Sequence, residues 1–248
     1  MDLFHADPAF PKPSLWFVGN GSFIAPGLEF MNYFINIGGL KPDHKVLDIG
    51  CGIGRMAIPL TGYLSKQGEY SGFDIVPKGI YWCNQNISTK FPNFQFTLTD
   101  IYNKSYNPSG KLSAATFKFP YPDEYFDFAF ATSIFTHLLP EDSVNYLAEA
   151  CRVLKQGGVL FSTWFIFKDK NKIDSKELSF DSEIPCDDYI CLVINPKLPE
   201  AAIAYDHRFI SKYSSKLMLK IVNIQPGSWD GKQEYLSYQD VVIFRKEI

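Results

Sequence analysis

Three glycines at alternate positions, directly after an apolar segment, constrain the fold of this chain more than any other feature. Residues 45–49 are mostly β-branched or aliphatic, as in a buried parallel strand, and the apolar spacing from Ile53 onward is helical. Gly50, Gly52 and Gly54 have no Cβ atoms, so they can adopt positive φ and let a ligand lie against the backbone. The pattern therefore predicts a strand, a glycine loop and a helix that hold a nucleotide-like ligand.

The spacing of these glycines distinguishes between two kinds of nucleotide site. A dinucleotide-binding fingerprint, G-x-G-x-x-G, would need its third glycine at position 55, where this chain has an arginine. The observed spacing, G-x-G-x-G, therefore disfavours a loop that binds a pyrophosphate. Asp48, at the end of the strand, can instead accept hydrogen bonds from a ligand.

Residues 48–54 resemble motif I of the class I S-adenosylmethionine-dependent methyltransferases. Two later acids agree with this resemblance. Asp74 ends the next apolar segment, as does the family's second-strand carboxylate, which binds the ribose hydroxyls. Asp100 follows the third segment, 94–99, at a position where the family commonly contacts the adenine. The order of these features along the chain makes the resemblance specific.

The resemblance extends from about residue 40 to residue 166. Segments 126–132 and 154–160 are similar to the family's fourth and fifth strands. It implies S-adenosylmethionine as the cofactor and an α/β fold, a Rossmann-like, doubly wound sheet of seven strands with the last strand antiparallel. The residues to which it assigns cofactor binding are Asp48, Gly50, Cys51, Gly52, Gly54, Asp74, Ile75, Asp100, Ile101 and Thr132.

We expect residues 1–248 to form a single methyltransferase domain, because 248 residues that are 46% hydrophobic can bury a sizeable core. The predicted parts are an N-terminal arm (1–26), a cofactor-binding core (27–166) that opens with a helix over 27–38, two cap insertions (101–124 and 167–205), and a C-terminal helix with edge strands (206–248).

The two insertions are interpreted as a substrate cap, together with the arm. Residues 101–124 are too long for an ordinary connection, and their aromatic residues argue against disorder. Each of these aromatics could pack on the core or contact substrate. Segments 189–194 and 201–205 predict two strands of an inserted hairpin above the carboxyl edge of the sheet.

The C-terminal part predicts a helix followed by two strands. Asp206 is the expected N-cap of a helix that runs to Leu217. Segments 220–225 and 240–244 predict the sixth and seventh strands, which pair antiparallel in this family. Trp229, in the turn between them, is expected to face either the sheet edge or the substrate.

Composition excludes several classes of function. The net charge is −3 and no lysine or arginine run reaches five residues, which argues against a nucleic-acid partner. The five cysteines are odd in number and lack C-x-x-C spacing, so we expect reduced thiols in the cytoplasm and neither disulfides nor a metal site. We expect neither a signal peptide nor a membrane span.

The chemistry that the resemblance implies is transfer of a methyl group from a sulfonium to an oxygen, nitrogen or carbon nucleophile. A hydroxyl acceptor would need a base, and His137 lies just past the fourth strand, where the family places residues that face the methyl group. His137 could instead pack against or cap the next helix. His207 with Asp206 is the second candidate, and His5 and His44 are weaker ones.

Aromatic residues, asparagines and a nearly neutral surface suit a small-molecule or sugar (glycan) acceptor methylated at oxygen. Two alternatives compete with this function. An NAD(P)-dependent oxidoreductase would also use a glycine loop, but the chain has no Tyr-x-x-x-Lys pair after the fourth or fifth strand. A non-catalytic S-adenosylmethionine-binding module would be expected to lose the glycines or the ribose acid, and both are present. The acceptor, the methylated atom and the oligomeric state stay open at this point.

Overall fold

The computed structural model of the chain describes residues 10–17 and 21–247. The predicted N-terminal arm therefore lies partly outside the described residues, at 1–9 and 18–20, and His5 lies outside them as well. Contacts divide the chain into two units. Unit 1 consists of Met1–Asp100 and Phe126–Phe130, and unit 2 of Ile101–Tyr125 and Ala131–Ile248. The single domain over 1–248 stays a prediction.

The elements alternate between strands and helices in the first part of the chain. The helices are α1 (Ile24–Asn36), α2 (Ala57–Thr61), α3 (Pro77–Cys83), α4 (Pro140–Val153) and α5 (His207–Lys216). The strands are β1 (Lys45–Ile49), β2 (Glu69–Asp74), β3 (Phe94–Leu98), β4 (Phe126–Ala131), β5 (Leu154–Trp164), β6 (Ile166–Phe167), β7 (Ser182–Cys186), β8 (Tyr189–Val193), β9 (Ile203–Asp206), β10 (Leu219–Gln225) and β11 (Asp240–Lys246).

Seven of these strands form one sheet in the order β10-β11-β5-β4-β1-β2-β3. β1 pairs in parallel with β2 and with β4, and β2 pairs in parallel with β3. β11 runs antiparallel to both β10 and β5. The predicted α/β sheet of seven strands with an antiparallel last strand is therefore confirmed.

In unit 1, α1 covers the central strands with aromatic side chains. Phe34 is fully buried, and its ring centroid lies 5.7 Å from that of Phe128 and 4.4 Å from that of Phe130. The backbone N–H of Lys45 donates to the Asp127 carboxylate at 2.8 Å, which connects the start of β1 to β4. These contacts fix the strand that leads into the glycine loop.

Two boundaries in unit 1 differ from the sequence-based expectation. α1 begins at Ile24, inside the predicted arm. Pro26 falls in its first turn, where N–H groups make no hydrogen bond within the helix, so a proline is tolerated there. α2 spans only Ala57–Thr61, although the apolar spacing predicts a helix from Ile53. Pro59 cannot donate to the carbonyl of Arg55, so the regular helix begins late.

Unit 2 also contains a second sheet of four strands, in the order β6-β9-β8-β7. The two strands predicted at 189–194 and 201–205 correspond to β8 and β9, which pair antiparallel. The sequence analysis did not predict β6 or β7. β6 has only two residues, and Pro185 interrupts the strand pattern of β7, which is tolerated because β7 lies at the sheet edge.

The position of Trp229 resolves one of the open alternatives. Trp229 is 1% exposed, and its indole N–H donates to the Asp240 carboxylate at 2.6 Å. Its ring packs against Phe165 and Phe180, with centroid distances of 5.0 and 5.3 Å. Trp229 is therefore a core residue, which rules out the alternative that it faces the substrate.

The C-terminal elements match their prediction. Asp206 is the N-cap of α5, where its carboxylate accepts the backbone N–H of Arg208 at 2.8 Å.

All five cysteines are free thiols. Among the described residues, no helix combines the length and the apolar character that crossing a membrane requires.

Candidate cofactor and acceptor sites

The glycine loop of unit 1 has the backbone conformation that its sequence predicts. Gly50, Gly52 and Gly54 have φ values of 79°, 58° and 78°. A Cβ atom on Gly54 would lie 2.8 Å from Cδ1 of Ile87 and 3.0 Å from Sγ of Cys83, so a larger residue here would have to displace buried side chains. A Cβ atom on Gly52 would meet nothing within 4 Å, although the residue is buried. Gly52 therefore leaves space beside the backbone.

The Asp74 carboxylate lies across this loop at the end of β2. It accepts the backbone N–H of Gly52 at 2.8 Å through one oxygen and that of Val76 at 2.8 Å through the other. Burial raises the pKa of Asp74, and the N–H groups of Val76, Gly52 and Ile75 oppose that rise. These bonds hold the carboxylate in one orientation and leave it further capacity to accept a donor from a ligand.

The end of β3 is fastened to the end of β2 through Thr99. Its N–H and its hydroxyl both donate to the backbone carbonyl of Asp74, at 2.9 and 3.3 Å. Thr99 directly precedes Asp100, which is exposed. The sequence analysis did not identify Thr99, because nothing in its local pattern distinguishes it from any other strand-end threonine.

Asp48 is the most deeply buried acid of the loop, with 1% exposure. One of its carboxylate oxygens accepts the Tyr70 hydroxyl, and the other has no hydrogen-bond donor among the described residues. Burial is the main cause that raises the pKa of Asp48 to about 8. The charge of Asp74 adds to the rise, and the bond from Tyr70 opposes it. A buried acceptor of this kind favours a ligand that brings a donor or a positive charge.

Cys51 contributes to the loop through its backbone. Its N–H donates to the carbonyl of Phe73 at 3.0 Å, and its side chain fills the space above Gly72, where a Cβ atom would lie 2.8 Å from that of Cys51. Burial holds the pKa of the Cys51 thiol well above its usual value. The thiol therefore stays protonated and acts as a small apolar group.

The described part of the N-terminal arm lies close to the same loop. A Cβ atom on Gly79 would lie 2.5 Å from the carbonyl oxygen of Gly52 and 3.0 Å from the Phe17 ring. The Lys78 ammonium sits over the Phe17 ring, 5.1 Å from its centroid. Phe17 is therefore an aromatic neighbour of the predicted cofactor residues in unit 1.

Unit 2 contains the remaining predicted residues, Ile101, Thr132 and His137. Ile101 is buried, whereas Thr132 and His137 are half-buried. His137 ends a short 3-10 turn, and its Nδ1 lies 2.9 Å from the carbonyl oxygen of Glu200. A carbonyl only accepts, so Nδ1 carries the proton in the neutral ring and Nε2 keeps a free lone pair. Burial lowers the pKa of His137, and the carbonyls of Glu200 and Ala201 oppose this.

The acid of the second candidate pair, Asp206, is engaged in capping, and His44 closes a turn. Asp206 accepts three donors of Arg208, at 2.6, 2.8 and 2.9 Å, and His207 lies beside it with Nδ1 3.4 Å from the carboxylate. Nδ1 of His44 accepts the N–H of Lys41 at 3.3 Å and closes a turn. Among the described histidines, His137 is the one whose geometry best suits a base.

The 101–124 insertion is held together by its asparagines. Asn103 accepts the backbone N–H groups of Ser105 and Tyr106 at 3.0 Å, and Asn107 donates to the carbonyl of Ile101 at 3.0 Å. These amides therefore shape the loop. Their bonds to its backbone disfavour the expectation that the asparagines of this insertion bind a hydroxylated acceptor. Tyr106 is 42% exposed.

A family model described as a methyltransferase domain matches residues 47–162. This match covers just under half of the chain and agrees with the resemblance to the class I S-adenosylmethionine-dependent methyltransferases. Two observations in unit 1 fit the cofactor of this family. Within the described part of the chain the buried oxygen of Asp48 has no donor, and the space beside Gly52 would admit a ligand against the backbone.

Comparisons with known proteins agree with this family. A sterol 24-C-methyltransferase of Gibberella zeae is 27% identical over 152 residues, which cover 59% of this chain and 35% of that protein. The match thus spans about a third of the length of this curated relative.

Two crystal structures share the fold at 17% and 13% identity, with TM-scores of 0.61 and 0.55. The first is the PH0226 protein of Pyrococcus horikoshii, for which 95% of this chain matches 96% of that chain. The second is a 1,6-didemethyltoxoflavin-N1-methyltransferase of Burkholderia thailandensis, for which 92% of this chain matches 79% of that chain.

Proposed function

We propose that this methyltransferase transfers the methyl group of S-adenosylmethionine to a hydroxyl oxygen of a small-molecule or sugar acceptor. The observation that carries the proposal is the glycine loop. Its three positive φ values open the backbone at Gly52, and the buried carboxylate of Asp48, at the end of the preceding strand, has an oxygen with no donor among the described residues. A cationic nucleoside ligand satisfies both features.

In this proposal Asp74 binds the ribose hydroxyls through the lone pairs that its backbone donors leave free. Asp100, at the exposed end of β3, contacts the adenine, and Phe17 shields the loop from water. The bound cofactor supplies a methyl group that its sulfonium already activates. The protein then has to orient the acceptor and exclude water, and such positioning contributes about 7–11 kcal/mol in favourable cases.

His137 supports an oxygen acceptor. Its neutral ring presents Nε2 as the proton acceptor, and the carbonyl of Glu200 stabilises the Nδ1–H that becomes part of the charged imidazolium. Because burial lowers its pKa, His137 is neutral near pH 7 and ready to accept a proton. The carboxylates of Glu141 and Asp142 follow His137 in the first turn of α4, and that of Glu200 lies in the 3-10 turn Pro199–Ala201.

Two exposed tyrosines of the 101–124 insertion support a small acceptor with both apolar and hydroxyl surface. Tyr102 is 48% exposed and Tyr106 is 42% exposed. A tyrosine offers a ring face for apolar atoms and a hydroxyl for hydrogen bonds. The names of two similar proteins describe methylation at carbon and at nitrogen, so the methylated atom is the central outcome of the test.

The test uses tritiated S-adenosylmethionine, the purified protein and fractionated cell extract. We expect a labelled product in one fraction, and mass spectrometry with fragmentation to locate the new methyl group on oxygen. A product methylated at carbon or nitrogen would contradict the role of His137 as a hydroxyl base. The absence of labelled product in every fraction, from protein that binds the cofactor by calorimetry, would favour the non-catalytic binding module.

A further inference from the structure

Three polar side chains in unit 2 form a closed hydrogen-bond network. Ser133 follows the end of β4, Thr163 is next to last in β5, and Gln239 directly precedes β11. The Ser133 N–H donates to Thr163 Oγ1 at 2.7 Å. The Thr163 hydroxyl donates to Gln239 Oε1 at 2.6 Å, and the Ser133 hydroxyl donates to the same oxygen at 3.1 Å.

The backbone of Ser133 is in a conformation that favours glycine. Its φ is 55°, in the left-handed region that β-carbon sterics make unfavourable for most residues. The hydrogen bonds to Thr163 and Gln239 hold it there. A glycine would adopt this turn without strain, so the serine retains a hydroxyl at a conformational cost. That side chain is exposed.

The network leaves the amide nitrogen of Gln239 available. Oε1 accepts two hydroxyl groups, which fills both of its lone pairs and fixes the orientation of the amide. Nε2 then presents two N–H donors that have no acceptor among the described residues, and the side chain is half-buried. The Ser133 oxygen, which donates its proton to Gln239, keeps lone pairs that can accept.

We propose that Ser133 and Gln239 form a subsite for a hydroxyl group of the methyl acceptor, distinct from the hydroxyl that is methylated. A hydroxyl accepts from Nε2 of Gln239 and donates to Oγ of Ser133, so it satisfies both groups at once. The three network side chains are uncharged, which favours a neutral polyhydroxylated ligand over a carboxylate, phosphate or ammonium group. Ligands of open α/β sheets bind outside the carboxyl ends of the strands, and Thr163 lies at that end of β5. This inference rests on the proposed function.

Gln239→Glu is the decisive variant, because a glutamate keeps an oxygen for Thr163 and Ser133 and removes the N–H donors, while the negative charge that it adds is controlled for separately. Gln233→Glu is the matched control, since Gln233 is an exposed glutamine in the same segment. Initial rates are measured with tritiated S-adenosylmethionine and serial dilutions of the extract fraction that yields labelled product. We expect the apparent KM of Gln239→Glu to rise at least tenfold, with cofactor affinity by calorimetry within twofold of the wild type.

Ser133→Gly provides a second readout that a purely structural role would not produce. Glycine suits φ of 55°, so we expect the melting temperature to stay equal or rise while the apparent KM rises severalfold. If the KM of both variants stays within twofold of the wild type, the subsite is wrong and the proposed function stands. If the wild-type protein labels nothing in any fraction, both proposals are overturned together.

Discussion

The Tyr70 hydroxyl donates to one oxygen of the Asp48 carboxylate, and the other oxygen of this buried group has no donor among the described residues. The pair lies on neighbouring strands, since β1 and β2 are in parallel register with Val46 opposite Tyr70. Ionisation of this buried carboxyl group lowers the stability of the ligand-free protein, and the same negative charge would attract a cationic ligand. The pKa of Asp48, about 8 compared with its usual 3.8, expresses this loss of stability.

The sign of the pH dependence follows from that pKa. Below about pH 4 the carboxyl is protonated in the folded and the unfolded chain, so it contributes nothing. Between about pH 4 and pH 8 the folded state holds a proton that the unfolded state has lost, and the free energy of unfolding falls as pH rises. Above about pH 8 the penalty is constant. Each unit of raised pKa corresponds to about 1.4 kcal/mol.

Asp48→Asn should therefore stabilise the ligand-free protein at high pH. Asparagine keeps an oxygen for the Tyr70 hydroxyl and cannot ionise. Relative to the wild type, we expect its melting temperature to rise by about 2 °C or more at pH 9 and to change less at pH 5. Its affinity for S-adenosylmethionine should fall at the same time. Asp43→Asn, at an exposed acid, is the control, and a melting-temperature difference independent of pH would contradict the assignment.

Alanine variants of Gly52 and Gly54 separate the effect of the glycine loop on cofactor affinity from its effect on protein stability. Both positions have positive φ, so alanine strains both, by on the order of 1 kcal/mol. Gly52→Ala fills the open space beside the backbone and should lower S-adenosylmethionine affinity at least tenfold in calorimetry. Gly54→Ala forces a contact with Ile87 and should cost an additional ~1–3 kcal/mol of stability in chemical denaturation. Equal losses of stability in both variants would refute this division.

The sequence predicts the glycine loop well because its requirement is local. A positive φ in three alternate residues can be recognised from glycine alone, and the acids at the strand ends follow from the order of the strands. The Tyr70 bond to Asp48 depends on the register between two strands. The positive φ of Ser133 has no glycine to indicate it, and the burial of Trp229 depends on its contacts with Phe165 and Phe180, which lie much earlier in the chain.

His137 should set the lower limit of the pH–rate profile. The base must be neutral to accept a proton, so the rate should fall as pH drops through the pKa of His137. We expect this inflection below the usual value of 6.5, because burial lowers the pKa. His137→Ala should reduce turnover by roughly 10²–10⁴-fold with cofactor affinity nearly unchanged. His207→Ala is the matched comparison. If His137→Ala keeps more than about a tenth of the wild-type turnover, orientation alone drives the reaction and His137 is structural.

The 101–124 insertion separates into a packed part and an exposed part. Phe119 is 1% exposed, its ring lies 5.1 Å from that of Tyr146, and its backbone bonds to Glu149 and Arg152 on α4 at 2.7 and 3.0 Å. Removing the whole segment would therefore disrupt the core of unit 2. Substitution of individual residues separates the two roles more clearly.

Tyr102 and Tyr106 represent the exposed part of the insertion. The double variant Tyr102→Ser/Tyr106→Ser should lower turnover at least tenfold, because the acceptor loses two aromatic surfaces, while the melting temperature and the cofactor affinity change little. Phe119→Ala should instead cost about 3–5 kcal/mol of stability, through the cavity that it leaves. Tyr235→Ser, at an exposed tyrosine of the C-terminal segment, controls for the loss of a surface ring. A double variant that retains wild-type turnover would assign the acceptor to other residues, and one that loses cofactor affinity equally would make the insertion part of the cofactor site.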